Sequence, residues 1–250
     1  VTGLAGRRVL YTGAAGGLGH RTTLELLSAG AEVIALDRDH ARNEELTADT
    51  PAGLKARLRL VEVDLADKSA LGKVLADLIA ERALDAVINN AAIYPAKPFE
   101  EFTLEEHAMV HAVNVEAALL CTKAALPGMR ARGWGRVVNI TSITLSGGWE
   151  NLAPYVQSKG ALLGLTRAWA REFGKWGITV NAIAPGAFPT DAEKIHPDPE
   201  GYNAMVLDRQ SIKRRGQAED IAAAIRFFLS EEAGFITGQS LAVNGGWTMH

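Results

Sequence analysis

A single cysteine, Cys121, occurs in 250 residues, so no disulfide can form within the chain and a reducing compartment is consistent with it. Long hydrophobic runs are missing as well. No stretch reaches the roughly 18 uninterrupted apolar residues of a spanning helix, and Val9 to Tyr11 is too short for a signal-peptide core, so a cytoplasmic protein with no membrane partner is expected. Basic charge is scarce: 26 Lys and Arg face 29 Asp and Glu, the formal net charge is −3, and no basic cluster alternates with aromatics. Such a surface has little attraction for a phosphate backbone, which argues against nucleic acid as a partner. Lys213, Arg214 and Arg215 read as a solvated turn. Metal-ligand spacing is confined to His107 and His111, at i and i+4. Glu106 precedes His107 and no third ligand is evident, so this is not the His-Glu-x-x-His arrangement and no metal is expected. What remains is 48% hydrophobic and 22% charged, the composition of a soluble globular chain, and its length suits one α/β unit spanning 1–250.

The most informative stretch is Tyr155, Val156, Gln157, Ser158 and Lys159 at the start of a long apolar helix. Positions i and i+4 share a helix face, so the phenol and the ammonium point the same way. A phenol that acts as a base near pH 7 to 8 needs its phenolate stabilised by roughly 3 to 4 kcal/mol, and a fixed positive charge nearby is the direct means. Tyr-x-x-x-Lys also occurs on many inert amphipathic helices, so its neighbours decide the case.

Arg8 to Thr12 reads as a strand. It is followed at once by Gly13, Ala14, Ala15, Gly16, Gly17, Leu18 and Gly19, and then by a helical pattern through Ala29. Strand, glycine-rich turn and helix make a phosphate site, because glycines admit close backbone approach and a helix N-terminus presents unpaired N–H groups. Glu32 to Asp37 is the next strand, and it ends in an acid 18 residues beyond Gly19, where a ribose-binding carboxylate is expected. Asp37 argues for NAD, since a 2′-phosphate would face it at about 4 kcal/mol per charge pair. Arg38 is the competing feature, because an arginine there could hold that phosphate. Leu58 to Val63 is strand-like and leads to Asp64 and Leu65; Asp64 suits either the adenine edge or a helix cap.

A helix is expected over Ser69 to Arg82 and a strand over Ala86 to Asn89, leading into Asn90, Ala91 and Ala92. Asparagines at a strand end can tie loops together through exposed backbone. A helical pattern covers Thr103 to Arg132, with Pro127 and Gly128 breaking it late, and carries Asn114. Arg136 to Ile140 forms a strand that delivers Thr141 and Ser142 to the carboxyl edge of the sheet, where ligands sit in open α/β folds. Asn151 is positioned to cap the next helix and Pro154 is tolerated in its first turn. From Gly160 to Ala170 only Arg167 is charged, and a helix apolar on nearly all sides points to a subunit interface. Thr179 to Ala184 is a sixth strand. Beyond Pro185 and Gly186 an irregular run over 187–217, with a short helix at Ala204 to Gln210, reads as a substrate lid. Ala218 to Leu229 and Ser240 to Val243 supply a last helix and strand.

Taken in order, Thr12-Gly13-x-x-x-Gly17-x-Gly19, Asn89-Asn90-Ala91, Asn114, Ser142, Tyr155-x-x-x-Lys159 and Pro185-Gly186-x-x-x-Thr190 closely resemble the short-chain dehydrogenase/reductase family over essentially the whole length. The resemblance implies a single-domain, Rossmann-type, doubly wound parallel sheet of about seven strands with helices on both faces, assembled as a homotetramer. It implies Tyr155 as general acid/base, Ser142 as hydrogen-bond donor to the substrate oxygen, and Lys159 holding the nicotinamide ribose and lowering the Tyr155 pKa. Asn114 would position a relay water and Thr190 the carboxamide. Ala92 stands where the family usually has glycine, and a positive φ there would cost about 1 to 2 kcal/mol. Ile93-Tyr94-Pro95, Gly133-Trp134-Gly135-Arg136 and Phe235-Ile236-Thr237-Gly238-Gln239 resemble bacterial catabolic members such as 1-phenylethanol and pyridoxal dehydrogenases.

Tyr94, Trp149 and Phe188 are the expected walls of the substrate pocket, which favours a cyclic or aryl-substituted secondary alcohol or its ketone. Glu150, Asn151, Glu193, Lys194 and His196 would instead suit a sugar if they turned inward, giving an aldose 1-dehydrogenase. A catalytically silent NAD-binding scaffold is the alternative of another class.

Overall fold

The computed structural model describes residues 3–249. Seven parallel strands form one sheet in the order β3-β2-β1-β4-β5-β6-β7: β1 Arg8–Thr12, β2 Glu32–Asp37, β3 Leu58–Glu62, β4 Ala86–Asn89, β5 Gly135–Ile140, β6 Ile178–Pro185 and β7 Ser240–Val243. Every residue of β1, β4, β5 and β6 is buried, as it must be where helices cover both faces of a parallel sheet. Alternation along a strand divides its side chains between two cores. Val9, Tyr11, Val33 and Ala35 meet Leu26 and Leu27 of α1 (Gly17–Ser28) and Ile221, Ile225 and Phe228 of α9 (Ala218–Leu229). Leu10, Ile34 and Leu36 face the other way. They meet Leu71, Leu75 and Leu78 of α3 (Lys68–Glu81), Cys121 and Met129 of α5 (Ala117–Arg132), and Phe173 of α7 (Ala153–Phe173). Burial pushes the Cys121 thiol up to about 12, so it is a core group without thiolate reactivity.

Strand order reverses between β1 and β4, and the carboxyl ends of those strands open the crevice in which such sheets bind ligands. α2 (His40–Asp49), capped by Asp39, stands beside that crevice. α4 (Leu104–His111) begins with a capping box formed by Thr103 and Glu106, and joins α5 through a π-helical turn at Ala112–Glu116. The combined Leu104–Arg132 helix is long and apolar enough by composition to cross a membrane, but half of its most apolar window is buried in the fold. That is the setting of a core helix.

Several local expectations are corrected by packing. Pro127 and Gly128 do not end α5, which continues to Arg132. Pro127 forfeits one backbone hydrogen bond, while buried Ala125 and Met129 hold the turn on the sheet and Gly128 lets Ala83 approach closely. In the 187–217 excursion the helix is α8 (Pro199–Arg209), longer than Ala204 to Gln210. Asp198 caps it through the Gly201 N–H at 2.9 Å and Pro199 occupies the first turn, so this proline starts a helix. Asn151 does not cap α7. Leu152 holds the N-cap position, while Asn151 adopts a left-handed φ of 64° and its carbonyl accepts the Lys97 N–H at 3.0 Å. Ala92 has no positive φ, so its expected strain is absent.

Candidate active site

β1 feeds directly into the glycine turn, and α1 starts at Gly17 with no side-chain cap and no acid in its first turn, leaving its N-terminal N–H groups open to an anion. Gly19 has no room for a side chain: a Cβ there would lie 2.1 Å from the Gly13 carbonyl oxygen. Asn90 secures this turn, its Nδ2 donating to the carbonyls of Thr12 at 3.1 Å and Gly13 at 3.0 Å. Thr12 Oγ1 accepts the Asn90 and Ala91 N–H groups at 3.0 and 3.1 Å. At the end of β2, Asp37 accepts the N–H groups of Ala15 and Asp39, both at 3.2 Å, which fixes its carboxylate beside the glycine turn.

A cleft of about 680 Å³ runs from this turn along the carboxyl edge of the sheet to the segment after β6. Gly13, Gly16, Gly17, Leu18, Asp37, Arg38, Asp64, Leu65 and Asn90 line it, as do Pro185, Gly186 and Thr190, the last of these against Gly17; Tyr94, Ser142, Trp149, Tyr155, Lys159 and Phe188 line it too. Asp64 accepts the Ala66 N–H at 2.9 Å and pairs with Arg38 at 3.7 Å, whereas the cap of α3 is Asp67.

Ser142 arrives at the end of β5, its Oγ accepting the Thr144 N–H at 3.1 Å in a short helical turn, α6 (Thr144–Gly147). Tyr155 and Lys159 come from the first turns of α7. Burial pushes the Tyr155 phenol up; a hydrogen bond from Ser142 opposes this, and Tyr94, edge-on with ring centroids 6.2 Å apart, adds to the rise. Lys159 is buried, with Nζ 5.5 Å from the Tyr155 ring centre and donating to the Ile140 carbonyl at 2.7 Å. Desolvation brings it down to about 7. The anticipated lowering of the phenol by the ammonium is therefore not what dominates here. Both groups are desolvated together, and neither ionises freely.

The Lys159 shift has a sign that can be measured. Between about pH 7 and 10.5 the unfolded chain keeps the lysine proton that the folded chain gives up, so this group makes stability rise with pH across that window, and its full cost is felt below it. Lys159→Met should show a melting temperature whose excess over the parent narrows as pH rises from 7 to 10. A pH-independent difference would contradict the buried-ammonium geometry.

Asn114 sits in the π turn, a frequent feature of functional sites. Its Nδ2 donates to the Ile93 carbonyl at 3.0 Å and to Ser158 Oγ at 2.9 Å, and its Oδ1 accepts the Ile93 N–H at 2.9 Å. Both amide hydrogens are thus spent on tying the 90–95 loop to α7, and none is left to donate to the anticipated relay water.

The polar candidates divide. Glu193 and His196 line the cleft; Glu150 and Asn151 are exposed outside it, and Lys194 pairs with Asp191. Three groups not singled out in the sequence join them. Tyr202 lines the cleft and stacks on His196 at 3.6 Å, Trp247 packs on Trp149 at 5.5 Å, and Arg42 stands beside the glycine turn. The glycine pair before Trp247, at the carboxyl end of a parallel strand, was the available signal for that residue. Arg215 is no solvated residue: it is tied to Glu193 and, at 3.1 Å, to Asn203. Among the described residues no cluster of three metal-ligating side chains occurs. His107 faces Gln157 at 3.3 Å and His111 faces Glu116 at 3.8 Å.

The profile of a family described as enoyl-(acyl carrier protein) reductase, a short-chain alcohol dehydrogenase type, matches residues 13–248. The chain belongs to the short-chain dehydrogenase/reductase family. It is 36% identical over 247 residues to an L-xylulose reductase of Mesocricetus auratus, covering 98% of each chain. It is 34% identical over 246 residues to the (2S)-[(R)-hydroxy(phenyl)methyl]succinyl-CoA dehydrogenase subunit BbsD of Thauera aromatica, covering 98% and 97%. A solved gluconate 5-dehydrogenase of Burkholderia cenocepacia J2315, in complex with NADP and tartrate, superposes with a TM-score of 0.88 at 28% identity, covering 98% and 96%. The chain is an oxidoreductase of this family, with a nicotinamide dinucleotide as cofactor.

Proposed function

We propose that the chain interconverts a secondary alcohol and a ketone within a neutral polyhydroxylated carbon chain, using NAD. The observation that carries this reading is one continuous cleft with a glycine cradle and Asp37 at one end and Ser142, Tyr155 and Lys159 at the other. The tight Gly19 turn, the open α1 terminus and the fixed Asp37 carboxylate fit the pyrophosphate and ribose of a dinucleotide. Asp37 supports NAD over NADP.

A bound nicotinamide supplies the hydride acceptor for alcohol oxidation and the donor for ketone reduction. Tyr155 takes the carbinol proton in oxidation and returns it to the forming alkoxide in reduction. Ser142 donates to the same oxygen, and Lys159 holds the ribose. Since burial keeps the phenol protonated at neutral pH, reduction starts with Tyr155 in the state it needs, while oxidation gains as pH rises.

The substrate class is supported by the lid. Burial lowers the His196 pKa and raises that of Tyr202, so at neutral pH the stacked pair offers an uncharged imidazole and phenol, both able to donate and accept. Of the lining cations, Arg38 and Arg42 stand by the end of β2 and Lys159 is beside Tyr155, while Arg215, the cation nearest the stacked pair, is already paired with Glu193, which suits hydroxyl groups better than a substrate carboxylate. The xylulose reductase relative is consistent with this class. A second reading, a cyclic or aryl secondary alcohol, is favoured by the aromatic wall of Tyr94 and Trp149, the latter backed by Trp247, and by the BbsD relative. Assaying cofactor turnover over ketoses, polyols, aldoses, sugar acids and aryl alcohols separates them. Polyols and ketoses should be turned over with kcat/KM at least tenfold above aryl alcohols; the reverse order would install the aryl reading.

Assembly as a homotetramer belongs to the same proposal. Leu104, Met109 and Leu119 are exposed on α4 and α5, and Gly164 and Ala168 on the neighbouring α7, an apolar face on the helix where an interface was expected. Light scattering at micromolar concentration should give about four times the 26.7 kDa chain mass; a monomer would exclude the assembly.

A further inference from the structure

Two arginines, Arg38 and Arg42, line the cleft with Asp37, and each is paired with an acid. Arg38 pairs with Asp64 at 3.7 Å. Arg42, in the first turn of α2, pairs through Nε with Asp39 at 3.3 Å and through a terminal nitrogen with Asp191, which follows it by 149 residues and lies in the lid. Arg42 lines the cleft with Asp37, and a side chain on Gly16 would begin 3.7 Å from its guanidinium. It therefore occupies the wall where an adenosine ribose meets the end of β2. The lid crosses here: Thr190 would lie 2.7 Å from a side chain on Gly17, and Asp191 is the next residue.

We propose that Asp191 is a positioning residue that sets cofactor preference, occupying the Arg42 guanidinium from the lid so that the arginine is not offered to a ribose 2′-phosphate. The inference deepens the NAD reading above and rests on it for the placement of the ribose. Asp39 alone does not explain the state of Arg42, because it engages Nε, whereas Asp191 takes one of the two terminal nitrogens, the part of the side chain that best matches phosphate oxygens. Asp191 acts twice: it occupies one terminal nitrogen of Arg42 and so holds the guanidinium in place, and it puts a carboxylate where a 2′-phosphate would bring like charge. Lys194 pairs with the other Asp191 oxygen, which holds the carboxylate ionised and in place. NAD, with a hydroxyl at that position, has no quarrel with the pair.

All three side chains are partly exposed, so the effect is that of a solvated ion pair, a few-fold and not orders of magnitude. Dissociation constants of NAD and NADP should be measured by titration for the parent chain, Asp191→Asn, Arg42→Gln and the double variant. Asp191→Asn should tighten NADP roughly fivefold with NAD unchanged within twofold, and the gain should shrink at high salt. In the Arg42→Gln background the same substitution should give a clearly smaller gain, because the freed guanidinium is gone and only the loss of the like charge remains. An unchanged NADP to NAD ratio in Asp191→Asn, or equal tightening of both cofactors, would overturn the proposal, the latter by showing only a loosened lid. A parent chain that binds NADP more tightly than NAD would overturn the NAD reading separately, and the shift caused by Asp191→Asn would still be read against that baseline.

Discussion

Tyr155→Phe should abolish turnover, lowering kcat by roughly 10²- to 10⁴-fold in either direction, while the dissociation constant of the cofactor changes less than threefold. The phenol lies among Ser142, Tyr94 and the substrate half of the cleft, and a phenylalanine of nearly the same shape leaves that packing intact. Only the proton and the hydrogen bond are lost. In the parent chain, oxidation should accelerate with rising pH because burial holds the phenol above its ordinary range, and reduction should be fastest at the lower end. Steady-state rates at several pH values, with cofactor binding measured apart, check both halves. Substantial residual activity in Tyr155→Phe would remove Tyr155 from the chemistry.

Lys159→Met should damage binding and chemistry together, with a loss of roughly 10³-fold in kcat/KM divided between weaker cofactor affinity and slower turnover. Lys159 lines the cleft together with the glycine cradle and Tyr155, and in the proposed mechanism its one ammonium acts on both cofactor and phenol. Its ready loss of the proton near pH 7 makes the expected effect depend on pH: parent and variant should differ most where the ammonium is charged, at the lower end of the range. The folding measurement proposed above moves in the opposite sense, since the charge proposed to assist function costs stability. A variant that lost turnover but bound cofactor normally would confine Lys159 to the chemical step.

The strands were legible because each is a short, largely apolar run, and β1, β2, β4, β6 and β7 end at or just before a glycine, aspartate or asparagine; β1, β2, β4 and β7 fall on the expected residues. The cradle was legible because Gly13 to Gly19 is local, and so was the pairing of Tyr155 with Lys159 on one face. What escaped is what distant segments bring together. Nothing near Arg42 in the chain announces Asp191, and nothing near Trp149 announces Trp247. The start of α8 at Pro199 was not legible because it depends on Asp198 serving as a cap, and Pro127 read as a late break because its cost is met by burial of the turns around it. The Asn114 amide could be placed in sequence but not assigned its partners, which lie at Ile93 and Ser158.

The central claim is that this cleft passes hydride between a carbinol carbon and a nicotinamide, with Tyr155 moving the proton. Its most direct test is isotope transfer, in which the chain is incubated with NAD and secondary alcohols deuterated at the carbinol carbon and the reduced cofactor is weighed by mass spectrometry. One deuterium on the nicotinamide is expected with the parent chain and none above background with Tyr155→Phe. A cofactor that binds with full affinity yet gains no deuterium from any polyol, sugar or aryl alcohol would contradict it and leave a dinucleotide-binding scaffold in its place.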